Sequence, residues 1–272
     1  MKLLLMARFT FREALHKRVV HGVGILTLGF AILYALLVWL AFREVGQAGP
    51  ARMMALQLTL LGMNAVSGIA ALMAVFLSVG TISSEVDAGT LHALVPKPLT
   101  RRDVLMGKWL GFAAMLTAYV IALSLMMSLT VAVFWGQWPV NFLPATMLLA
   151  LESLVLLSLS ILGTTFLPTV ANGVVVFGLY SVAMMSGFME QLGSMIQNEA
   201  MVNVGIGISL LVPSDTLAKL SASMLQEGYG YFERVGPFIV LSQPSGWVVV
   251  YALAYIAVLL AAAQAIFNRK DL

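Results

Sequence analysis

The chain contains no cysteine, which excludes disulfides and thiolate metal sites outright. Charge is scarce as well. Asp, Glu, Lys and Arg make up 10% of its 272 residues, against about 25% in soluble domains. None of its lysines is followed by Ser or Thr, so the phosphate-cradling loop GxxxxGK(S/T) is absent and ATP is not bound by that device. Histidine occurs three times, and His16, His21 and His92 have no metal-ligand spacing. A structural or surface role suits them better, and the metal set reads as none. There is no internal repeat of the kind found in inverted-topology carriers. No linker or low-complexity tract divides the chain, so residues 1–272 read as a single domain.

What is plentiful is apolar surface. The chain is 61% hydrophobic with a mean hydropathy of +0.97, the balance of an integral membrane protein. Six runs, near 20–42, 58–82, 109–135, 143–167, 170–189 and 246–267, are long enough to cross about 30 Å of hydrocarbon as helices. The fold class expected is all-α with six transmembrane helices. The fourth and fifth runs meet at Leu167-Pro168-Thr169-Val170, where Pro168 favours a tight reversal.

The polar connections alternate in charge. With the N-terminus inside, the cytoplasmic segments hold Lys2, Arg8, Arg12, Lys17, Arg18, Lys97, Arg101, Arg102, Lys108, Arg269 and Lys270, which is eleven of the 15 basic residues. Only Arg43, Arg52, Lys219 and Arg234 fall outside. The positive-inside bias thus predicts a multi-pass protein of the cell (inner or plasma) membrane with both termini cytoplasmic. The net charge of +3 belongs to this pattern, and no nucleic-acid partner is implied. Trp39, Trp135, Trp138 and Trp247 are expected at the outer interface and Trp109 at the inner one.

Residues 1–18 read as an interfacial amphipathic helix. Leu3, Leu4, Ala7, Phe11, Ala14 and Leu15 share one side, and Arg8, Arg12 and His16 the other, with Leu5 and Phe9 as exceptions. The apolar run that follows is too long for the core of a signal peptide and has no small-x-small cleavage site, so cleavage is not expected. Residues 190–245 read as an extracytoplasmic region of short, partly membrane-dipping helices. Ala200–Val212 is too short to cross, and Ser214 or Asp215 suits the cap of a helix through Leu217, Leu220 and Leu225.

The most concentrated charge between two apolar runs lies in Ser84 to Gly111, with Glu85, Asp87, Lys97, Arg101, Arg102, Asp103 and Lys108. Val86, Leu91, Leu94 and Val95 fit one side of a short helix that Pro96-Lys97-Pro98 breaks. Thr100, three residues before Asp103, suits the start of the next helix. Charge alone would make this only a solvated loop. The ordered pattern Glu85, Gly89-Thr90-Leu91, Leu94, Pro98, Arg101-Arg102, Leu105, Gly107-Lys108 and Gly111 resembles the loop after the second span in permeases of the type-2 exporter family of ATP-binding-cassette transporters.

That resemblance implies a cytoplasmic coupling helix within residues 84–108, seated in a groove of a separate ATPase subunit. By the same resemblance, Glu85, Asp87, Gly89, Thr90, Leu91, His92, Leu94, Pro98, Arg101 and Arg102 carry the coupling. It further implies two ATPase copies that bind the ATP and Mg, a second permease copy, and no cofactor or catalytic residue in this chain. An elbow helix at the N-terminus and short helices before the last span are also features of similar permeases.

Glu152 lies deep inside a span, where a charge costs about 2.5–3.5 kcal/mol on insertion scales. It reads equally as a brace between helices or as a residue in the substrate path, together with Asn64 and Ser67. Asn64, Ser67, Ser124 and Ser128 also suit bonds between helices. The methionine pairs Met53-Met54, Met126-Met127 and Met184-Met185 can bind soft copper, but more often fill irregular apolar gaps. The function expected is export of a lipophilic or amphipathic substrate. The alternative is a permease that passes ATPase motion to an extracytoplasmic partner without moving a solute. A third reading, an ion-coupled carrier relying on Glu152, would need no ATPase.

Overall fold

The computed structural model of the chain describes residues 2–15, 18–46, 51–79, 100–230, 234, 236, 238–240 and 243–269. Every regular element among them is an α-helix: α1 (Lys2–Leu15), α2 (Arg18–Val45), α3 (Ala51–Ser78), α4 (Arg101–Trp135), α5 (Phe142–Thr164), α6 (Thr169–Met195), α7 (Glu199–Ser209), α8 (Ser214–Gln226) and α9 (Trp247–Arg269). Six of these, α2 to α6 and α9, are long and apolar enough to cross a membrane. The chain is therefore a multi-pass membrane protein, as the apolar runs predict.

The helix ends follow from local chemistry. Thr100 caps α4: its hydroxyl accepts from the Asp103 amide at 3.2 Å, and the Thr100 amide donates back to the Asp103 carboxylate at 3.1 Å. With this cap, Arg101 to Lys108 form the first two turns of α4. The sequence reading marks Thr100 as a start for this helix but counts residues through 108 with the loop. Lys108 is accordingly buried, at 3% exposure. At the other end of α4, Gly136 adopts φ 65°, a left-handed stop that a side chain would strain. Pro168 stands at the N-cap of α6 and makes the short reversal from α5, as expected.

The core is built around α5, which packs against α3, α4, α6, α8 and α9. α2 is peripheral. Its Val23, Thr27, Tyr34 and Val38 face inward at near-helical spacing, while Ile25, Leu28, Ile32 and Leu33 remain exposed. α1 lies along α4 with Thr10 and Ala14 buried and Arg8, Phe9 and Arg12 exposed. Its inward face therefore meets protein, which explains why the small Thr10 is buried and the large Phe9 is not.

The aromatic belt needs one correction. Trp39, Trp138 and Trp247 are exposed, but Trp135 is buried, edge-on to Phe42 with ring centroids 5.5 Å apart. Trp135 is a packing residue because α2 closes over it. Trp109 donates its indole N–H to Ser158 Oγ at 2.9 Å, joining α4 to α5.

α7 and α8 form a V bent by 109°. Asn141, just before α5, donates to the Met224 carbonyl at 3.1 Å and to Glu227 at 2.8 Å. One layer deeper, Ser221 Oγ donates to the Ala145 carbonyl at 2.9 Å. From Ser221 back to Ser214, α8 runs about 10 Å farther along α5. The tip of the V thus reaches the level of Glu152. Tyr255 holds it there, donating to the Leu211 carbonyl at 2.8 Å, while Tyr251 donates to Leu210. Ser214 begins α8 but makes no side-chain cap, and neither does Asp215.

The contact between α1 and α4 yields a prediction. A Cβ on Gly111 would stand 2.7 Å from the Ala7 carbonyl oxygen, whereas one on Gly24 meets nothing within 4 Å. Both Ala substitutions gain about 1 kcal/mol of helix propensity, but only the first must push two helices apart. Gly111→Ala should be less stable than Gly24→Ala by about 1–3 kcal/mol in thermal unfolding of the purified protein. Equal stability would mean that α1 yields freely.

Candidate functional site

Four helices meet around a cavity of about 830 Å³. α3 contributes Asn64 and Ser67, α5 contributes Glu152, α6 contributes Phe177, Tyr180, Met184 and Phe188, and α8 contributes Asp215 and Lys219. Phe30 of α2 completes the wall. The cavity thus lies between the second and fifth spans, with the deep end of the α7–α8 V against it.

Glu152 is 2% exposed. Its Oε1 accepts a hydrogen bond from Ser67 Oγ at 2.8 Å, tying α5 to α3. Its Oε2 is buried with no hydrogen-bond partner among the described residues. Such an atom is costly to leave unsatisfied in a protein interior. Ser67 is the one of the four polar positions seen to bond between helices. Asn64 donates back to the Leu60 carbonyl of its own helix at 2.9 Å, and the buried hydroxyls of Ser124 and Ser128 have no partner among the described residues.

An ion cluster adjoins Glu152. Lys219 Nζ lies 2.6 Å from Glu190 Oε2 on α6 and 3.0 Å from Asp215 Oδ2, one turn before it on α8. These side chains are 12–14% exposed. The Asp215 carboxylate packs directly against Gly187, where any side chain would collide with it. Gly187 therefore allows α8 to bring its acid up to α6. Asp215 also lies in the first turn of α8, where the helix dipole favours negative charge.

The sequence reading finds Glu152, Asn64 and Ser67, and the structure brings all three to one cavity. It misses Glu190, Asp215 and Lys219. The expected fifth run ends near 189, whereas α6 continues to Met195 and carries Glu190 inside it. Asp215 and Lys219 fall in the expected region of short, partly membrane-dipping helices, Asp215 as a candidate helix cap. Their i, i+4 spacing in an otherwise apolar stretch is the signal that marks them as a pair. Among the described residues, no three carboxylates or imidazoles converge as metal ligands.

Of the coupling residues, Arg102 is exposed in the first turn of α4, and Arg101 lies in the same turn. Glu85, Asp87, Gly89, Thr90, Leu91, His92, Leu94 and Pro98 lie outside the described residues.

A family model described as "ABC-2 family transporter protein" matches residues 5–272. No curated protein matches the chain.

The Lys219 bridge can be tested by removing its centre. Lys219→Met takes away the ammonium shared by two largely buried carboxylates. Breaking such a pair from one side costs about 3–5 kcal/mol, so the melting temperature of the purified protein should fall sharply. Asp215→Asn in the same chain should restore part of the loss. Wild-type stability in Lys219→Met would show that the bridge contributes nothing.

Proposed function

We propose that this chain, which belongs to the ABC-2 transporter family, exports a lipophilic or amphipathic solute through the cavity between its second and fifth spans. Family membership makes it the membrane permease of an ATP-binding-cassette transporter, a subunit that works with an ATPase and is not normally catalytic itself. The observation that carries the export reading is the cavity. About 830 Å³ between α3 and α6 is in the range of small-molecule sites. A permease that only relayed motion to an extracytoplasmic protein would need no such space. An ion-coupled carrier would need no ATPase, which family membership disfavours.

In this proposal two ATPase subunits bind ATP and Mg beneath a pair of permeases. Their closure pushes on residues 84–101, with Glu85, Gly89 and Arg101 among the contacts. The capping box at Thr100 fixes the start of α4, which follows that segment in sequence, and α1 packs closely on α4 at Gly111. A push delivered there moves α4, and with it α3, so the cavity alternates between two packings. The exposed apolar residues at its mouth, Met184, Met185 and Phe188, suit the face of a second permease copy. The distribution of basic residues favours cytoplasmic termini and an extracytoplasmic 190–245.

Two experiments test this. The cysteine-free chain accepts single cysteines on a clean background. Arg269→Cys should react with a membrane-impermeant reagent only from the cytoplasmic side, and Glu227→Cys only from outside. Reaction of both from one side would overturn the orientation. For coupling, charge reversal at Glu85 or Arg101, or a bulky residue at Gly89, should release or uncouple the ATPase while leaving insertion normal. A lost interfacial charge partner costs about 2–5 kcal/mol, enough to be seen in co-purification and ATPase assays. Wild-type binding and coupling in all three variants would reduce the stretch to a solvated loop.

A further inference from the structure

We infer that the cavity takes an organic cation, a lipophilic body carrying an amine or other onium centre. The inference rests on the proposed function in taking the cavity as the place where cargo binds.

The sign of the charge comes from the wall. Among the described residues, Glu152 and Asp215 line the cavity and Lys219 is the only basic residue that does. Lys219 already holds two carboxylates, Glu190 at 2.6 Å and Asp215 at 3.0 Å. Three carboxylates against one ammonium leave the site with excess negative charge when all are ionised. Glu152 lines the cavity, and its buried Oε2 has no hydrogen-bond partner among the described residues, so this carboxylate is left without a counter-charge. A buried carboxylate is stabilised by a nearby positive charge and destabilised by a negative one. A cation in the cavity is attracted by the Glu152 carboxylate, whereas an anion is repelled by Glu152 and Asp215 with the ammonium already engaged.

Size and surface then separate an organic cation from a bare ion. A metal ion would leave nearly all of the 830 Å³ unfilled, and no three carboxylates or imidazoles converge among the described residues. The remaining wall is aromatic and apolar: Phe30, Phe177, Tyr180 and Phe188, with Met184 and Met185 beside them. Aromatic faces attract cations within about 6 Å of the ring centroid, and methionines adapt to irregular apolar shapes. One carboxylate near an aromatic, thioether-lined space matches a molecule with one positive centre and a large apolar body.

The test uses two ions of the same shape and opposite charge. Full-length protein in nanodiscs of neutral lipid is titrated with radiolabelled tetraphenylphosphonium and with tetraphenylborate, and only binding above that of empty nanodiscs is counted. Tetraphenylphosphonium should bind saturably and tetraphenylborate should not. Glu152→Gln should weaken the cation by about tenfold or more. Should that variant fail to fold, Asn64→Lys serves instead. Asn64 is exposed to the cavity, and a lysine there should abolish cation binding by charge alone. Saturable tetraphenylborate binding of equal strength would overturn the inference. So would wild-type tetraphenylphosphonium binding in the folded variants.

Efflux from proteoliposomes holding the permease with its ATPase separates this inference from the export reading. Glu152-dependent cation binding without ATP-driven efflux of any lipophilic probe would contradict export and leave the cation site standing. ATP-driven efflux of a neutral lipophile, without Glu152-dependent cation binding, would do the reverse.

Discussion

An ammonium held between two carboxylates on neighbouring helices governs the site. Lys219 joins α8 to α6 through Glu190 and carries Asp215 with it, one turn away. Charges in such surroundings are stable only when paired, so α8 is held at one place along α6. Gly187 makes the approach possible because a side chain there would overlap the Asp215 carboxylate. With that pairing made, the α7–α8 V lies against α5, Tyr251 and Tyr255 of α9 hold its tip, and the space between α3 and α6 has a charged wall. Without it, α8 would have to leave its polar side in an apolar setting or withdraw along α5.

The opposite wall depends on a second polar contact of different character. Ser67 satisfies one oxygen of Glu152 and leaves the other without a partner. A carboxylate meant only to brace two helices would be expected to find donors for both oxygens. The Ser67 bond braces α5 to α3, and the second oxygen, buried without a partner among the described residues, is what the proposed cargo role rests on.

The six spans, the Pro168 reversal and the capped start of α4 were legible because each follows from local chemistry: long apolar runs, a missing amide, and a Thr–Asp reciprocal bond. Glu152 was legible because a lone acid in an apolar run is conspicuous. Glu190, Asp215 and Lys219 were not. Each stands at the edge of an apolar run, where hydropathy places a residue in water, and only the fold of α7 and α8 brings them to the cavity. Trp135 was misplaced for a related reason: its position at a span end resembles an interface anchor until Phe42 of α2 packs over it. Tertiary contacts, which carry no periodic signature, account for these misses.

The proposed mechanism requires that a push arriving at the start of α4 change access to the cavity beside α3. Asn64, exposed on α3 at the cavity wall, reports on this directly. The measurement is the rate at which Asn64→Cys reacts with a membrane-impermeant thiol reagent from each side, in the complex with its ATPase at rest and then trapped with ATP. Trapping should move reactivity from one side of the membrane to the other. Equal reactivity from the same side in both states would contradict it.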